Sequence, residues 1–241
     1  MEFSFVWLFA LIAGAAILFL AIFGALRTAD TERFQSDTQI AREISILTDP
    51  LQAGFAEGSF GKIEFIDETR INNACLTQDD DLGKNDISVS TRSNIGQEWN
   101  LPGGATAVHD KYIFSNTKNT GKEYYVFSKP FNFPYKVADL TFLTSANYCF
   151  VNAPEEVEEE ILGLKIPNIQ ISPNCTLIDP VNVCFGLSGN CEVRVLGDLE
   201  SGTVEKYGID MDYTGNLMYG AIFSDKGIYD CNVKRLMQRT A

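Results

Sequence analysis

The chain has 241 residues, of which 45% are hydrophobic, and a formal net charge of −13. That balance argues against a nucleic-acid-binding surface, which needs a basic footprint. It fits a solvated surface, or a partner that is cationic or calcium-rich.

From Phe3 to Leu26 (FSFVWLFALIAGAAILFLAIFGAL) no residue is charged. A helix rises about 1.5 Å per residue and a bilayer core is about 30 Å thick, so this run can span. It is too long for the apolar part of a secretory signal and has no basic residue before it, so an uncleaved anchor is the expectation. Ala10, Gly14, Ala21 and Ala25 recur near helical spacing. Small residues let helix backbones approach closely in lipid, which makes these four the candidate helix-association face. Residues 28–49 then run without Gly or Pro. Phe34, Ala41, Ile44, Leu47 and Leu51 form an apolar face, and Arg27, Asp30, Glu32, Arg33, Asp37, Arg42 and Glu43 supply a polar one. The simplest reading is one helix from about residue 3 to Asp49, about 70 Å long, which Pro50 ends because proline disfavours helix in the residue before it. The chain thus divides into a transmembrane helix with an amphipathic stalk (1–50) and a head (51–241).

After a Gly-punctuated linker, strand signals fall at Lys62–Ile71, Ile87–Thr91, Lys111–Ser115 and Glu123–Ser128, and in two stretches of Val137–Asn152. Pro154 and a crowded acidic first turn open a helix at Glu155–Leu164. Further strands are expected at Ile169–Ile171, Val181–Phe185, Cys191–Leu196, Thr203–Tyr213 and Asn216–Phe223. Hairpin turns are expected at Ser188-Gly189-Asn190 and at Tyr213–Asn216. Ile228–Arg239 reads as a helix. The fold class is therefore α+β: a long N-terminal transmembrane/amphipathic helix, then a mostly antiparallel β-rich domain with a short helix and a C-terminal helix.

Six cysteines, Cys75, Cys149, Cys175, Cys184, Cys191 and Cys231, lie outside the anchor. An even count suggests disulfides in an oxidising compartment, with connectivity left open. Zinc is disfavoured by the absence of a Cys-x2-Cys knuckle; buried free thiols are the other alternative. Cys184 and Cys191 would face each other across the expected hairpin. Orientation signals conflict: Arg27, Arg33 and Arg42 follow the anchor and point inward. The cysteines, the acidic surface and the Asn174-Cys175-Thr176 sequon, with Asn174 as the glycosylation candidate, point outward. An extracytoplasmic head on a single-pass cell-membrane anchor is the reading adopted.

Catalytic chemistry is hard to assemble. His109 is the one histidine, and Gly186-Leu187-Ser188-Gly189 does not match a nucleophile elbow. No phosphate-cradling glycine motif or zinc-protease motif occurs, so neither an enzyme nor a cofactor is expected. Asp79, Asp81 and Asp86 offer hard oxygens to calcium, with a solvated loop as the plainer alternative. Asp210, Asp212 and Thr214 begin like an EF-hand loop, but Ala221 stands where its bidentate Glu belongs, and a hairpin turn is the better reading. The run Glu155–Glu160 reads as a solvated helix start. Tyr124, Tyr125, Phe127, Phe131, Phe133 and Tyr135 concentrate aromatic surface, read mainly as core, with a binding patch as the rival.

The layout, a hydrophobic N-terminal helix continuing into an amphipathic half beneath a β-rich head, resembles type IV pilin-like subunits. That resemblance implies that the hydrophobic half sits in the membrane before assembly and in a filament core afterwards. The chain departs from the pilin pattern near its start: no Lys/Arg-Gly processing site precedes the helix, and the acidic residue is Glu2, with Phe5 at the fifth position. Separately, NYCFVNAPEEV (Asn147–Val157) and AIFSDKGIYDCNVKRLMQR (Ala221–Arg239) resemble stretches of membrane-anchored proteins of small-genome archaea, a family that implies no activity. The expected function is a non-enzymatic, membrane-anchored surface subunit. Its expected partners are the membrane and either itself or other anchored subunits, through the N-terminal helix, and not nucleic acid. The alternative is a surface receptor or adhesin binding glycan, peptide or calcium.

Overall fold

The computed structural model describes residues 5–47, 60–78, 81–92, 98–187, 189 and 191–240. Pro50, most of the linker, Asp79, Ser188 and Asn190 lie outside them. Helix α1 (Phe5–Leu47) is unbroken across the change from apolar to charged sequence. Its second half buries Asp37, Ala41 and Ile44. The expected stripe is thus rotated: Asp37, assigned to the polar side, is inside, and Phe34 is 51% exposed. The cause is what the helix packs against, described below.

Among the described residues twelve strands follow α1, in two six-stranded sheets. The first sheet has the order β3-β2-β1-β5-β6-β4. Its members are β1 (Phe60–Gln78), β2 (Asp81–Thr91), β3 (Thr106–Val108), β4 (Tyr112–Phe114), β5 (Lys118–Asn132) and β6 (Lys136–Thr144). All its pairs are antiparallel except β4 with β6. The second sheet has the order β12-β11-β10-β9-β7-β8. It contains β7 (Tyr148–Val151), β8 (Ile169–Ile171), β9 (Val181–Phe185), β10 (Val193–Gly197), β11 (Ser201–Lys206) and β12 (Ile209–Thr214). Helix α2 (Glu155–Leu164) joins β7 to β8, and α3 (Leu217–Phe223) and α4 (Lys226–Thr240) close the chain. The architecture is α+β, as expected.

Three expectations about strands are corrected. Thr203–Tyr213 is two strands, because Tyr207 and Gly208 take positive φ (53° and 77°) and turn β11 back onto β12. Asn216–Phe223 is helix α3, with every residue from Leu217 to Phe223 buried. A short run that is apolar on every side carries no periodicity, so strand and buried helix look alike in sequence. Tyr213–Asn216 accordingly leads from β12 into α3 rather than closing a hairpin. Finally, β9 and β10 run parallel, with Val193 beside Val183, so they are not the two antiparallel arms of a hairpin.

Alternation along the strands of the first sheet explains its continuous apolar runs. Tyr125 and Phe127 of β5, Leu140 and Phe142 of β6 and Tyr112 and Phe114 of β4 join the main core with α3 and the second sheet. The intervening Tyr124, Val126, Leu143 and Ile113 join a second cluster with Ala41 and Ile44 of α1. A sheet covered on both faces needs apolar residues at every position, not every second one.

Strand β4 lies at a sheet edge, but its free side is not open. The Ile113 N–H donates to Asn85 Oδ1, and the Ile113 carbonyl accepts from Asn73, Asn85 and Asn232 Nδ2. Asparagine side chains here do what a further strand would do, which closes the edge to pairing with another chain. Next to them Arg235, fully buried, donates to the Leu82 and Gly83 carbonyls and to Asn85 and Asn232. Its guanidinium also lies 4.9 Å from the centre of the Tyr112 ring. Gly83 needs φ +69° there, and a Cβ would meet the Leu76 carbonyl oxygen at 2.3 Å. This is the register shift between Leu76 and Gln78 that aims Gly83 at Arg235.

Candidate functional site

The first half of α1 presents apolar side chains outward: Trp7 is 70% exposed and Leu20 65%. The helix is long and apolar enough to cross a membrane. Ala10, Gly14, Ala21 and Ala25 are all exposed on it, and a Cβ at Gly14 would touch nothing within 4 Å. The first charged side chain, Arg27, sits 5.9 Å over the Phe23 ring.

The second half is seated on the head by a glycine pair. Gly103 and Gly104 arch over α1, and a Cβ at Gly103 would lie 2.8 Å from Asp37 Cβ and 2.9 Å from the Thr38 nitrogen. Gly104 N–H donates to Thr38 Oγ1 at 2.9 Å. The Gly103 N–H is returned to Val89 O at 2.9 Å, so the arch is itself pinned to β2. Thr91 Oγ1 donates to Asp37 Oδ2 at 3.4 Å. Below, Ala41 and Ile44 pack on Ile71, Ile87, Val89 and Val108. The Pro-Gly-Gly stretch before His109 reads in sequence as an ordinary loop. The close backbone approach that requires its glycines exists only once α1 lies across the sheet. Beside the seat, a cleft of about 490 Å³ opens between α1 and β1, lined by Ile40, Glu43, Ile44, Ile63, Phe65 and Asp67 among others.

All six cysteines stand in pairs at disulfide distance: Cys75–Cys231, Cys149–Cys175 and Cys184–Cys191, with Cα separations of 6.0, 6.0 and 5.9 Å. The first ties α4 to β1 across 156 residues of sequence. Asn174 is exposed in the segment after β8, next to bridged Cys175. His109 is exposed just beyond β3.

Asp81 begins strand β2 and Asp86 lies within it, ion-paired to Lys84 at 3.0 Å; Asp79 is outside the described residues. Among the described residues no group of three His, Cys, Asp or Glu could hold a metal ion. Asp212 is occupied otherwise, accepting from Thr203 Oγ1 at 2.8 Å. The aromatic concentration splits: Tyr124, Tyr125, Phe127 and Phe131 are buried, while Phe133 and Tyr135 are 57% and 83% exposed. Glu160, in the acidic run, is not merely solvated. It accepts from Tyr219 Oη at 2.6 Å and pairs with Lys129 at 3.0 Å, which ties α2 to α3 and β5.

The chain matches no family model, no curated protein and no solved structure.

Proposed function

We propose that this protein is a single-pass, N-terminally anchored surface subunit, with the apolar half of α1 in the membrane and the disulfide-bearing head outside. The observation that carries this is the division of labour along one unbroken helix. Its first half offers only apolar side chains, and its second half is fixed to the head by the glycine seat. A helix built that way transmits position rigidly from the membrane to the head, which suits a subunit that assembles side by side with others. Assembly would run through the Ala10/Gly14/Ala21/Ala25 face, in the manner of pilin-like subunits, without catalysis and without a cofactor.

Imaging of native membranes tests it: a filament or lattice containing this chain supports the reading, and protein that is only ever monomeric in membranes and in mild detergent overturns it. A second reading, ligand recognition by the head, draws on exposed Phe133 and Tyr135. Phe133 stacks on Phe131 with centroids 6.5 Å apart, at the mouth of a small cavity with Leu217 and Met237. Binding to a glycan or peptide array that is lost in Phe133→Ala would favour it.

A further inference from the structure

Lys206 ends strand β11 of the second sheet, and it is buried, with 6% of its surface exposed. Its Nζ is held by three neutral acceptors: the Ile222 and Ser224 carbonyls at 3.1 and 3.0 Å and Asn116 Oδ1 at 3.2 Å. Asn116 belongs to the connection between β4 and β5 of the first sheet. That connection is itself held in place, since Thr117 N–H donates to Asp225 Oδ2 at 2.7 Å and Asn73 N–H donates to Thr117 O at 3.0 Å. An amine and a carboxamide from different sheets are thus fixed against each other at the edge of the core. A carbonyl bond is about 1.23 Å long, so Asn116 Cγ lies within about 4.4 Å of the amine nitrogen. Reacting atoms in a near-attack arrangement are about 3–3.5 Å apart, so a shift of about 1 Å suffices.

We propose that Lys206 and Asn116 react with each other to form an intramolecular isopeptide bond that ties the second sheet covalently to the first. The step needs no co-reactant. The neutral Lys206 amine adds to Asn116 Cγ, forming a C–N bond, and the Cγ–Nδ2 bond then breaks. Of the two protons on the attacking nitrogen, one remains on the new amide and the other leaves with Nδ2 as part of ammonia. Nothing is oxidised or reduced. Burial pushes the Lys206 ammonium down to about 8, against an ordinary lysine value of 10.5, so the nucleophilic neutral form is accessible near neutral pH. Asn116 is only partly buried, which gives the ammonia a way out. The reaction also turns a buried cation, costly to keep from water, into a neutral amide. Capping by Lys206 of the last carbonyls around α3 explains the two carbonyl contacts, but it does not call for a carboxamide as the third partner. The bond forms within one chain and does not depend on whether chains assemble.

The test is the intact mass of the full-length protein, solubilised from membranes, reduced and alkylated. The expected mass is below that of the fully alkylated sequence by one ammonia. Proteolysis is expected to release a branched peptide joining the segments around residues 116 and 206. Lys206→Arg and Asn116→Ala are each expected to restore the full mass. A wild-type chain at the full mass of the alkylated sequence overturns the proposal. So does an ammonia loss that maps elsewhere, as a succinimide at another asparagine.

Discussion

Arg235 shows how much of the head rests on single polar side chains. It is fully buried, and its donors are shared among two backbone carbonyls and two asparagines. Removing it takes a donor from each of those acceptors, at a cost of about 1–3 kcal/mol for each buried one left without a partner. Arg235→Met is therefore expected to lower stability by about 3 kcal/mol or more in a urea melt of the detergent-solubilised protein. Arg235→Lys is expected to rescue little, since a lysine offers a point charge rather than a planar fork. A melt of the methionine variant that overlays the wild type would refute this.

The buried tyrosines make a second statement at this scale. Burial raises the hydroxyls of Tyr124, Tyr219 and Tyr229 above their ordinary value and that of Tyr148 to about 12. An unfolded tyrosine releases its proton near pH 10, whereas the folded one keeps it. The stabilisation is thus complete below about pH 10 and is lost as pH rises toward 12 and beyond, by about 1.4 kcal/mol per pH unit for each such tyrosine. Circular dichroism and tyrosinate absorbance followed together between these pH values should show ionisation arriving with unfolding. Ionisation well before unfolding would contradict the burial argument.

At the scale of elements, two of the attachments between helices and sheets carry predictions. The seat of α1 depends on Gly103, where a methyl group would fall 2.8 Å from Asp37 Cβ and 2.9 Å from the helix backbone. Gly103→Ala is expected to cost about 1–3 kcal/mol, as overpacking does. It should do so by loosening α1, read as faster amide exchange over residues 37–44 with the second sheet unchanged. Uniform exchange throughout would place the seat elsewhere. The attachment of α4 depends on Cys75–Cys231, which closes a much longer stretch of chain than Cys149–Cys175 or Cys184–Cys191, at sequence separations of 156, 26 and 7. Closing longer loops restricts the unfolded chain more, so replacing Cys75 and Cys231 by Ser is expected to lower the melting temperature most, for a loss of about 2–5 kcal/mol. The Cys184/Cys191 pair should matter least, and a reversed order in thermal melts would refute the ranking.

For the whole molecule, the proposed anchor makes the decisive question which side of a membrane the head would occupy. Three cysteine pairs at disulfide distance fit an oxidising space, whereas Arg27, Arg33 and Arg42 follow the apolar run. The extracytoplasmic placement predicts that protease added to intact cells removes the head and leaves a fragment of α1 resistant to carbonate extraction. Protection of the head in intact cells would reverse the orientation.

Much of this architecture was legible without coordinates. The apolar run from Phe3 could be read because membrane-scale hydrophobicity is a property of contiguous residues. The strand Val181–Phe185 and the helix at Glu155–Leu164 were equally plain, because local propensity and capping residues sit in the segments they shape. What the tertiary structure alone decided has a common cause: it depends on what lies across from a residue. Leu217–Phe223 became helix because it is surrounded on every side. Asp37 went inside because Gly103 lies against it. Cys75 met Cys231, and Lys206 met Asn116, because the packing of sheets and helices brought together segments that are far apart along the chain.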